Sequence, residues 1–219
     1  MLVKDFMTPV VVRISEDQSI LEARELMLNK NLLSLPVTDD LMRLRGIITM
    51  TDIGKASPSS DSTLSKYEAN YLLGRLRVKD IMSRNVITVR ADESIEYICY
   101  QVYKTRMNAF PVVDEDNRVC GIIAQNDMLR AFVKALGLHH ACTRLTIEVQ
   151  DEPGMLGNIC KIFGDNGVNI ISMLVRDGSE AGIAEIVVRA KLDNHMDIIE
   201  QIRDAGYNVT DIMTINGVS

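Results

Sequence analysis

β-branched residues cluster at 10–14 and again at 86–89, predicting two short strands. A serine then opens an apolar-periodic helix in each place, at Ser19-Ile20-Leu21-Glu22 and at Ser94-Ile95-Glu96. In the first, Glu22 lies three residues after Ser19 and completes a capping box. Short apolar runs follow at 35–38 and 44–49, and at 110–113 and 119–124, as strand pairs joined by acidic turns. Each pair runs into a helix that starts near Asp52 or Asp127. The pattern predicts a β-α-β-β-α unit that occurs twice.

Sliding the chain by 75 residues aligns 3–53 with 78–128 without a gap, and 16 of those 51 positions are identical. The shared residues fall in three blocks: Val3-Lys4-Asp5-Phe6-Met7 against Val78-Lys79-Asp80-Ile81-Met82, Pro36-Val37 against Pro111-Val112, and Gly46-Ile47-Ile48 against Gly121-Ile122-Ile123. A unit of about 55 residues makes only a marginal core alone, so the two copies are expected to fold as a pseudo-twofold pair with their apolar sheet faces buried together. Between them, 57–62 reads as a flexible loop, and Leu64, Tyr67, Tyr71 and a leucine pair predict a packing helix over 64–76.

After Gly137 the pattern changes. Leu145, Ile147 and Val149 alternate with polar residues as a half-buried strand, and Asp151-Glu152-Pro153-Gly154 turns the chain. Leu156, Ile159, Cys160 and Phe163 are expected on one face of a helix that Asn166-Gly167 ends. Strand 168–175 follows, then a hairpin loop at Asp177-Gly178-Ser179 and strand 183–190. A helix over 195–205 is expected to turn Met196, Ile199 and Ile202 inward, and Tyr207–Ile212 closes the sheet. This βαββαβ order is ferredoxin-like. The chain is thus expected to be α/β of the α+β kind, with repeats at 1–56 and 78–135, an inter-repeat segment at 57–77, a linker at 136–142 and a second domain at 143–215.

Composition narrows the function. The net charge is −6, the wrong sign for binding nucleic acid or anionic lipid by bulk charge, and 5% aromatic residues without Trp leave few rings to stack on bases. Residues 1–135 are neutral, with 18 basic and 18 acidic residues, whereas 136–219 carry 6 against 12, a step that agrees with the boundary. Cys99, Cys120, Cys142 and Cys160 form no C-x-x-C pair and read as isolated core thiols in a reducing cytoplasm. No signal peptide or membrane span is expected, because the start is acidic and no apolar run approaches 18 residues. His139, His140 and Cys142 read as a linker beside a domain edge rather than metal ligands, and His195 as a helix-start residue. The usual marks of catalysis, Gly-x-Ser-x-Gly, Gly-x-Gly-x-x-Gly, a Walker loop and His-Glu-x-x-His, do not occur.

The candidate chemistry lies in Gly46-Ile47-Ile48-Thr49-Met50-Thr51-Asp52 and its copy Gly121-Ile122-Ile123-Ala124-Gln125-Asn126-Asp127. A carboxylate where a buried strand becomes a helix can accept from both hydroxyls of a ribose, while the threonine hydroxyl and free helix amides can hold phosphate. Lys55 and Arg130 stand three residues further on, one helical turn away, where phosphate is within reach. The rival reading, Asp52 and Asp127 as plain N-caps with Lys55 and Arg130 on solvated surface, stays open on spacing alone.

The gapless repeat, the Pro-Val-Val-Asp block and the Gly-Ile-Ile-Thr-x-x-Asp ending resemble paired cystathionine-beta-synthase (CBS) domains over roughly 1–135. The resemblance implies adenosine sensing, with AMP, ADP, ATP or S-adenosylmethionine as regulatory ligand. It assigns ribose to Asp52, phosphate to Thr49 and adenine to the backbone at Val11 and Val12. In the second copy it implies a site at Val86, Thr88 and Asp127. The sequence departs from the pattern at Ala124, which lacks the hydroxyl, and at Arg13, opposite Thr88.

Asp151-Glu152-Pro153-Gly154-Met155-Leu156 with Asn166-Gly167-Val168-Asn169-Ile170 resembles the ACT domain over roughly 142–215. That implies an amino acid or small metabolite held by Asp151, Gly154, Met155, Leu156 and Asn169, or an empty site in a dimerising domain. Gly154 lets a helix N-terminus approach a carboxylate, Asp151 can take an ammonium, and Asn169 supplies both donor and acceptor. Two CBS repeats followed by an ACT domain resemble bacterial regulatory proteins linked to acetoin utilization. The order implies a non-enzymatic homodimeric regulator read by a protein partner, in acetoin or butanediol catabolism. An enzyme of unknown type using the CBS cleft, and a structural dimeriser with degenerate sites, are the alternatives.

Overall fold

The computed structural model describes residues 1–57, 66–192 and 196–217. The chain forms two compact units, Met1–Ala131 and Phe132–Ser219. Among the described residues, no helix is long and apolar enough to cross a membrane.

In the first unit, α1 (Ile20–Lys30) leads to β1 (Ser34–Thr38), β2 (Leu44–Thr49) and α2 (Met50–Ala56). After α3 (Lys66–Arg75) the order repeats with α4 (Val78–Ile81), α5 (Ile95–Thr105), β3 (Ala109–Val113), β4 (Val119–Ala124) and α6 (Gln125–Ala135), which runs on into the second unit. Ser19 and Ser94 cap α1 and α5 as their sequence requires, Ser19 Oγ accepting from Glu22 N while Glu22 Oε2 takes Ser19 N at 2.7 Å. β1 pairs antiparallel with β2, and β3 with β4, in matching registers that place Val37 opposite Gly46 and Val112 opposite Gly121.

The expected strands at 10–14 and 86–89 are reduced to single parallel bridges, Ile14 to Val37 and Val89 to Val112. Ile14 exchanges one pair of bonds with β1, to Pro36 O and from Thr38 N, and no further residue of the segment continues the ladder. Tyr71, expected to pack, is 65% exposed beneath the Arg75 guanidinium, whereas Leu73 is buried. Leu64, the Tyr67 side chain and most of the 57–62 loop lie outside the described residues.

The repeats exchange their first elements. Val3 and Phe6 are buried in a core made otherwise by the second copy, among Val89, Ile95, Ile98, Phe110 and Ile123. Val78 and Met82 fill the first copy's core beside Ile14, Ile20, Leu35 and Ile48. Burying such a side chain stabilises by about 1.5–3 kcal/mol, so each copy depends on apolar surface lent by the other. Two backbone clasps fix the exchange: Thr8 N donates to Ile122 O at 2.9 Å and Ile122 N to Thr8 O at 3.1 Å. Ser83 and Ile47 make the corresponding pair at 2.9 Å in both directions. The two hairpins form two-stranded sheets, each over its own mixed core, and they meet at their turns, where Arg43 bridges Arg118, Leu44 N donates to Asn117 O at 3.0 Å and Val119 N donates to Met42 O at 2.8 Å.

The second unit contains β5 (Cys142–Gln150), α7 (Met155–Asp165), β6 (Ile170–Asp177), β7 (Ile183–Ala190), α8 (Met196–Asp204) and β8 (Asn208–Ile215). Its sheet is antiparallel in the order β6-β7-β5-β8, the ferredoxin-like arrangement. Leu145, Ile147, Ile186 and Val188 bury one sheet face against Ile159 and Phe163 of α7 and Ile198, Ile199 and Ile202 of α8. Leu156 and Cys160, expected on the inner face of α7, are exposed, and of the thiols expected in a core Cys120 is exposed as well, whereas Cys142 is buried. So is Met196, because α8 begins there and its buried stripe starts two residues later at Ile198. Gly167 takes the left-handed conformation at φ +66, as the end of α7 requires. His195 lies outside the described residues; His139 and His140 rest on one another with ring centroids 4.0 Å apart.

Candidate functional site

Asp52 and Asp127 are the third residues of α2 and α6, so the N-cap positions belong to Thr49 and Ala124. Asp52 Oδ2 accepts from Thr49 N at 2.9 Å and from Thr49 Oγ1 at 2.7 Å, while Asp52 N donates back to Thr49 Oγ1 at 3.1 Å. This capping box occupies the threonine hydroxyl in both directions but leaves Asp52 Oδ1 without a hydrogen bond among the described residues. Asp127 Oδ2 accepts from Ala124 N at 2.9 Å, and its Oδ1 pairs with Arg130 Nη2 at 3.0 Å. The same Arg130 nitrogen donates to Phe6 O at 2.7 Å, which ties the guanidinium to the exchanged N-terminal segment.

Each aspartate borders a cavity. The larger, about 570 Å³, is lined by Thr49, Asp52 and Lys55 of the first copy and by Arg106, Met107 and Asn108 of the second. The smaller, about 240 Å³, brings Asp127 and Asn126 together with Thr8, Val10, Val12 and Asn31. Leu33, Ser34, Asn108 and Ala109, at the starts of β1 and β3, line both.

Of the sequence-predicted residues, Thr49, Asp52 and Lys55 share one cavity, and Val12 and Asp127 share the other. Val12 therefore faces the second copy's aspartate rather than Asp52, because the exchange of first elements carries the start of one repeat onto the other. Val11, Val86, Thr88 and Arg130 line neither cavity, and Arg13 Nη1 donates to Thr38 Oγ1 at 3.2 Å. Arg106, Asn31, Asn108, Thr8 and Val10 escaped the sequence reading. The available signal was the repeat itself, which pairs Asn31 with Arg106 at the ends of α1 and α5. Both adopt the left-handed conformation, at φ 53 and φ 58.

In the second unit a cavity of about 230 Å³ is lined by Glu152, Met155, Asn158 and Tyr207, with Asn158 Nδ2 donating to Tyr207 Oη at 3.1 Å. Of the predicted ligand residues only Met155 reaches it; Asp151, Gly154, Leu156 and Asn169 do not line it. Gly154 stands at φ +97 as the N-cap of α7, so its glycine is required by backbone conformation. Among the described residues no three His, Cys, Asp or Glu side chains converge on a common point.

The sequence profile of the CBS domain matches residues 3–59 and 78–134, and that of the ACT domain matches 143–206. A curated relative, L-aspartate semialdehyde sulfurtransferase of Methanocaldococcus jannaschii, is 33% identical over 60% of this chain and 23% of its own length. Homoserine O-acetyltransferase of Methanosalsum zhilinae is 36% identical over 64% of this chain and 25% of its own. The chain thus spans about a quarter of the length of these relatives. Among solved structures, the CBS domain pair of protein MJ0100, in complex with 5′-methylthioadenosine and S-adenosyl-L-methionine, is similar at TM-score 0.50 and 32% identity. It covers 60% of this chain and 99% of that one. CBSX2 in complex with AMP is similar at TM-score 0.51 and 27% identity, over 60% of this chain and 96% of that one. A Vibrio cholerae protein linked by name to acetoin utilization reaches TM-score 0.53 at 21% identity, over 63% of this chain and 94% of its own. With CBS matches across more than half of its length and an ACT match behind them, the chain belongs to the CBS-domain family, as a CBS pair followed by an ACT domain.

Proposed function

We propose that the chain is a non-catalytic regulatory protein whose CBS pair binds adenosine-containing ligands. The observation that carries this reading is the Asp52 cavity: a carboxylate with an unused oxygen, fixed by a capping box, lines a space of about 570 Å³ together with two cations, Lys55 and Arg106. An ionised carboxylate accepts strongly from adjacent hydroxyls and so suits a ribose, and the cations suit what a ribose 5′ carbon carries. The ligands named for the MJ0100 pair and for CBSX2 are of this class.

The enzyme alternative has less support. Cys99, a thiol in this unit, is held above its ordinary pKa by burial first and by the Glu96 charge second, which keeps it protonated and poorly nucleophilic. The relatives that carry enzyme names match over a quarter of their length only.

The same proposal includes a homodimer, supported by β6 and β8 at the two edges of the ACT sheet, with Leu174, Val175, Ile212 and Met213 exposed on them. It also includes a small metabolite or amino acid at the ACT domain and a place in the cytoplasm. A role in acetoin or butanediol catabolism rests on domain order alone, since the Vibrio cholerae neighbour at 21% identity speaks to fold only.

The deciding experiment is a thermal-shift and calorimetry screen of AMP, ADP, ATP, S-adenosylmethionine and the amino acids, with chromatography of each ligand after incubation. A ligand at 100 times its Kd should stabilise the folded chain by about 2.7 kcal/mol and be recovered intact. Recovery of a cleaved nucleotide would replace the sensor with an enzyme. Absence of any shift would leave the structural dimeriser.

A further inference from the structure

The two cavities have different charge. In the Asp52 cavity two cations, Lys55 and Arg106, share the lining with one carboxylate, and neither cationic side chain makes a hydrogen bond or ion pair among the described residues. In the Asp127 cavity no lysine or arginine contributes to the lining among the described residues. Asn31 stands where the other repeat has Arg106, and Arg130, the counterpart of Lys55, is held between Asp127 and Phe6 O. Ala124 replaces Thr49, and Val10, Val12, Leu32, Leu33 and Ile122 make the smaller cavity's wall largely apolar. The larger cavity has more than twice the volume of the smaller.

From this we infer that the pair discriminates between its ligands: the Asp52 cavity takes a phosphate-bearing adenosine nucleotide, and the Asp127 cavity takes an adenosine whose 5′ position carries no phosphate. The inference rests on the adenosine reading above and assigns a ligand class to each of its sites. Phosphate recognition falls to Lys55 and Arg106 and not to Thr49, whose hydroxyl is already spent on the helix cap. A phosphate brought against the smaller cavity's wall would lose its hydration and gain no counter-charge, an uncompensated desolvation. The walls shared at Leu33, Ser34, Asn108 and Ala109 place both ligands against the same two strand starts.

The test is calorimetry of the full chain with adenosine and with AMP as probes. Adenosine should bind at two sites and AMP tightly at one. Asp52→Ala should abolish the tight AMP site and leave one adenosine site, whereas Asp127→Ala should leave AMP binding intact. Arg106→Asn and Lys55→Gln should each weaken AMP by about 10- to 100-fold, the loss of one charge-assisted contact, with adenosine affinity unchanged. Arg106→Asn keeps a residue type that tolerates φ 58, so the unfolding temperature without ligand should not fall. Asn31→Arg, which copies the other repeat's cation, should raise the AMP stoichiometry to two. AMP binding that survives Arg106→Asn and Lys55→Gln, or that follows Asp127 rather than Asp52, overturns the discrimination while sparing the adenosine reading. Wild-type chain that binds neither probe overturns both.

Discussion

Replacing Gly46 by alanine tests the exchange of elements between the repeats. A Cβ there would lie 2.8 Å from Met82 Sδ and 2.8 Å from Ser83 O, both on the segment lent by the second copy. Ser83 O is the acceptor of Ile47 N at 2.9 Å, so the carbonyl cannot retreat without loosening the clasp. At the equivalent position, Gly121, the added carbon would meet Met7 Sδ at 2.6 Å and then only Met7 Cγ and Cε, the free end of a partly exposed side chain. Forcing a methyl into a closed contact costs about 1–3 kcal/mol, and removing glycine freedom from the unfolded chain returns about 0.4–1 kcal/mol. Gly46→Ala should therefore destabilise by about 1–2 kcal/mol, and Gly121→Ala by less than about 1 kcal/mol, because Met7 can swing away and Ser83 cannot. Five of the six tyrosines precede residue 132, so urea unfolding followed by tyrosine fluorescence reports on the first unit. The expected result is a lower midpoint at unchanged slope, larger for Gly46→Ala. Equal losses in the two variants, or none in Gly46→Ala, would refute the close approach on which the exchange depends.

Asp52→Ala should lower the stability of the ligand-free first unit by about 0.5–2 kcal/mol, because its side chain completes the Thr49 capping box; thermal unfolding without nucleotide reads this separately from ligand affinity. Glu22 is held below its ordinary value of 4.5, first by the Ser19 backbone N–H and then by the Ser19 hydroxyl. Its contribution is therefore present above that value and disappears as pH falls through the lowered folded one. Glu22→Gln should consequently be less stable than wild type by about 0.5–1 kcal/mol at neutral pH, with the gap closing in acid; a gap independent of pH would show that the carboxylate charge is not involved. Light scattering at micromolar concentration, with and without AMP, should give the mass of a dimer, and a monomeric mass in both conditions rejects the homodimer.

Much of the architecture was written locally. The 75-residue repeat, the Ser19 and Ser94 caps, the strand pairs ending at Thr49 and Ala124, and the βαββαβ order after Gly137 all follow from periodicity and capping, which act over a few residues. Three features depended on contacts distant in sequence. Val3, Phe6, Val78 and Met82 look like ordinary apolar positions until the fold shows each pair buried in the other repeat, and Gly46 and Gly121 are needed only because those segments pass so close. The same exchange moved Val12 to Asp127 and turned Arg130 into a clasp on Phe6 O. Leu156 and Met196 fit their helical stripes, yet both stand in the first turn of α7 and α8 and are exposed, since a stripe fixes spacing and not how far along the helix burial extends. Arg106 carries no motif of its own: α5 ends one residue before it, and the left-handed turn there delivers its side chain to a cavity whose carboxylate lies 54 positions earlier in the chain. Sequence pattern decides which residues form each element, but which elements face one another is settled by burial summed over the whole fold, and the ligand cavities are built between them.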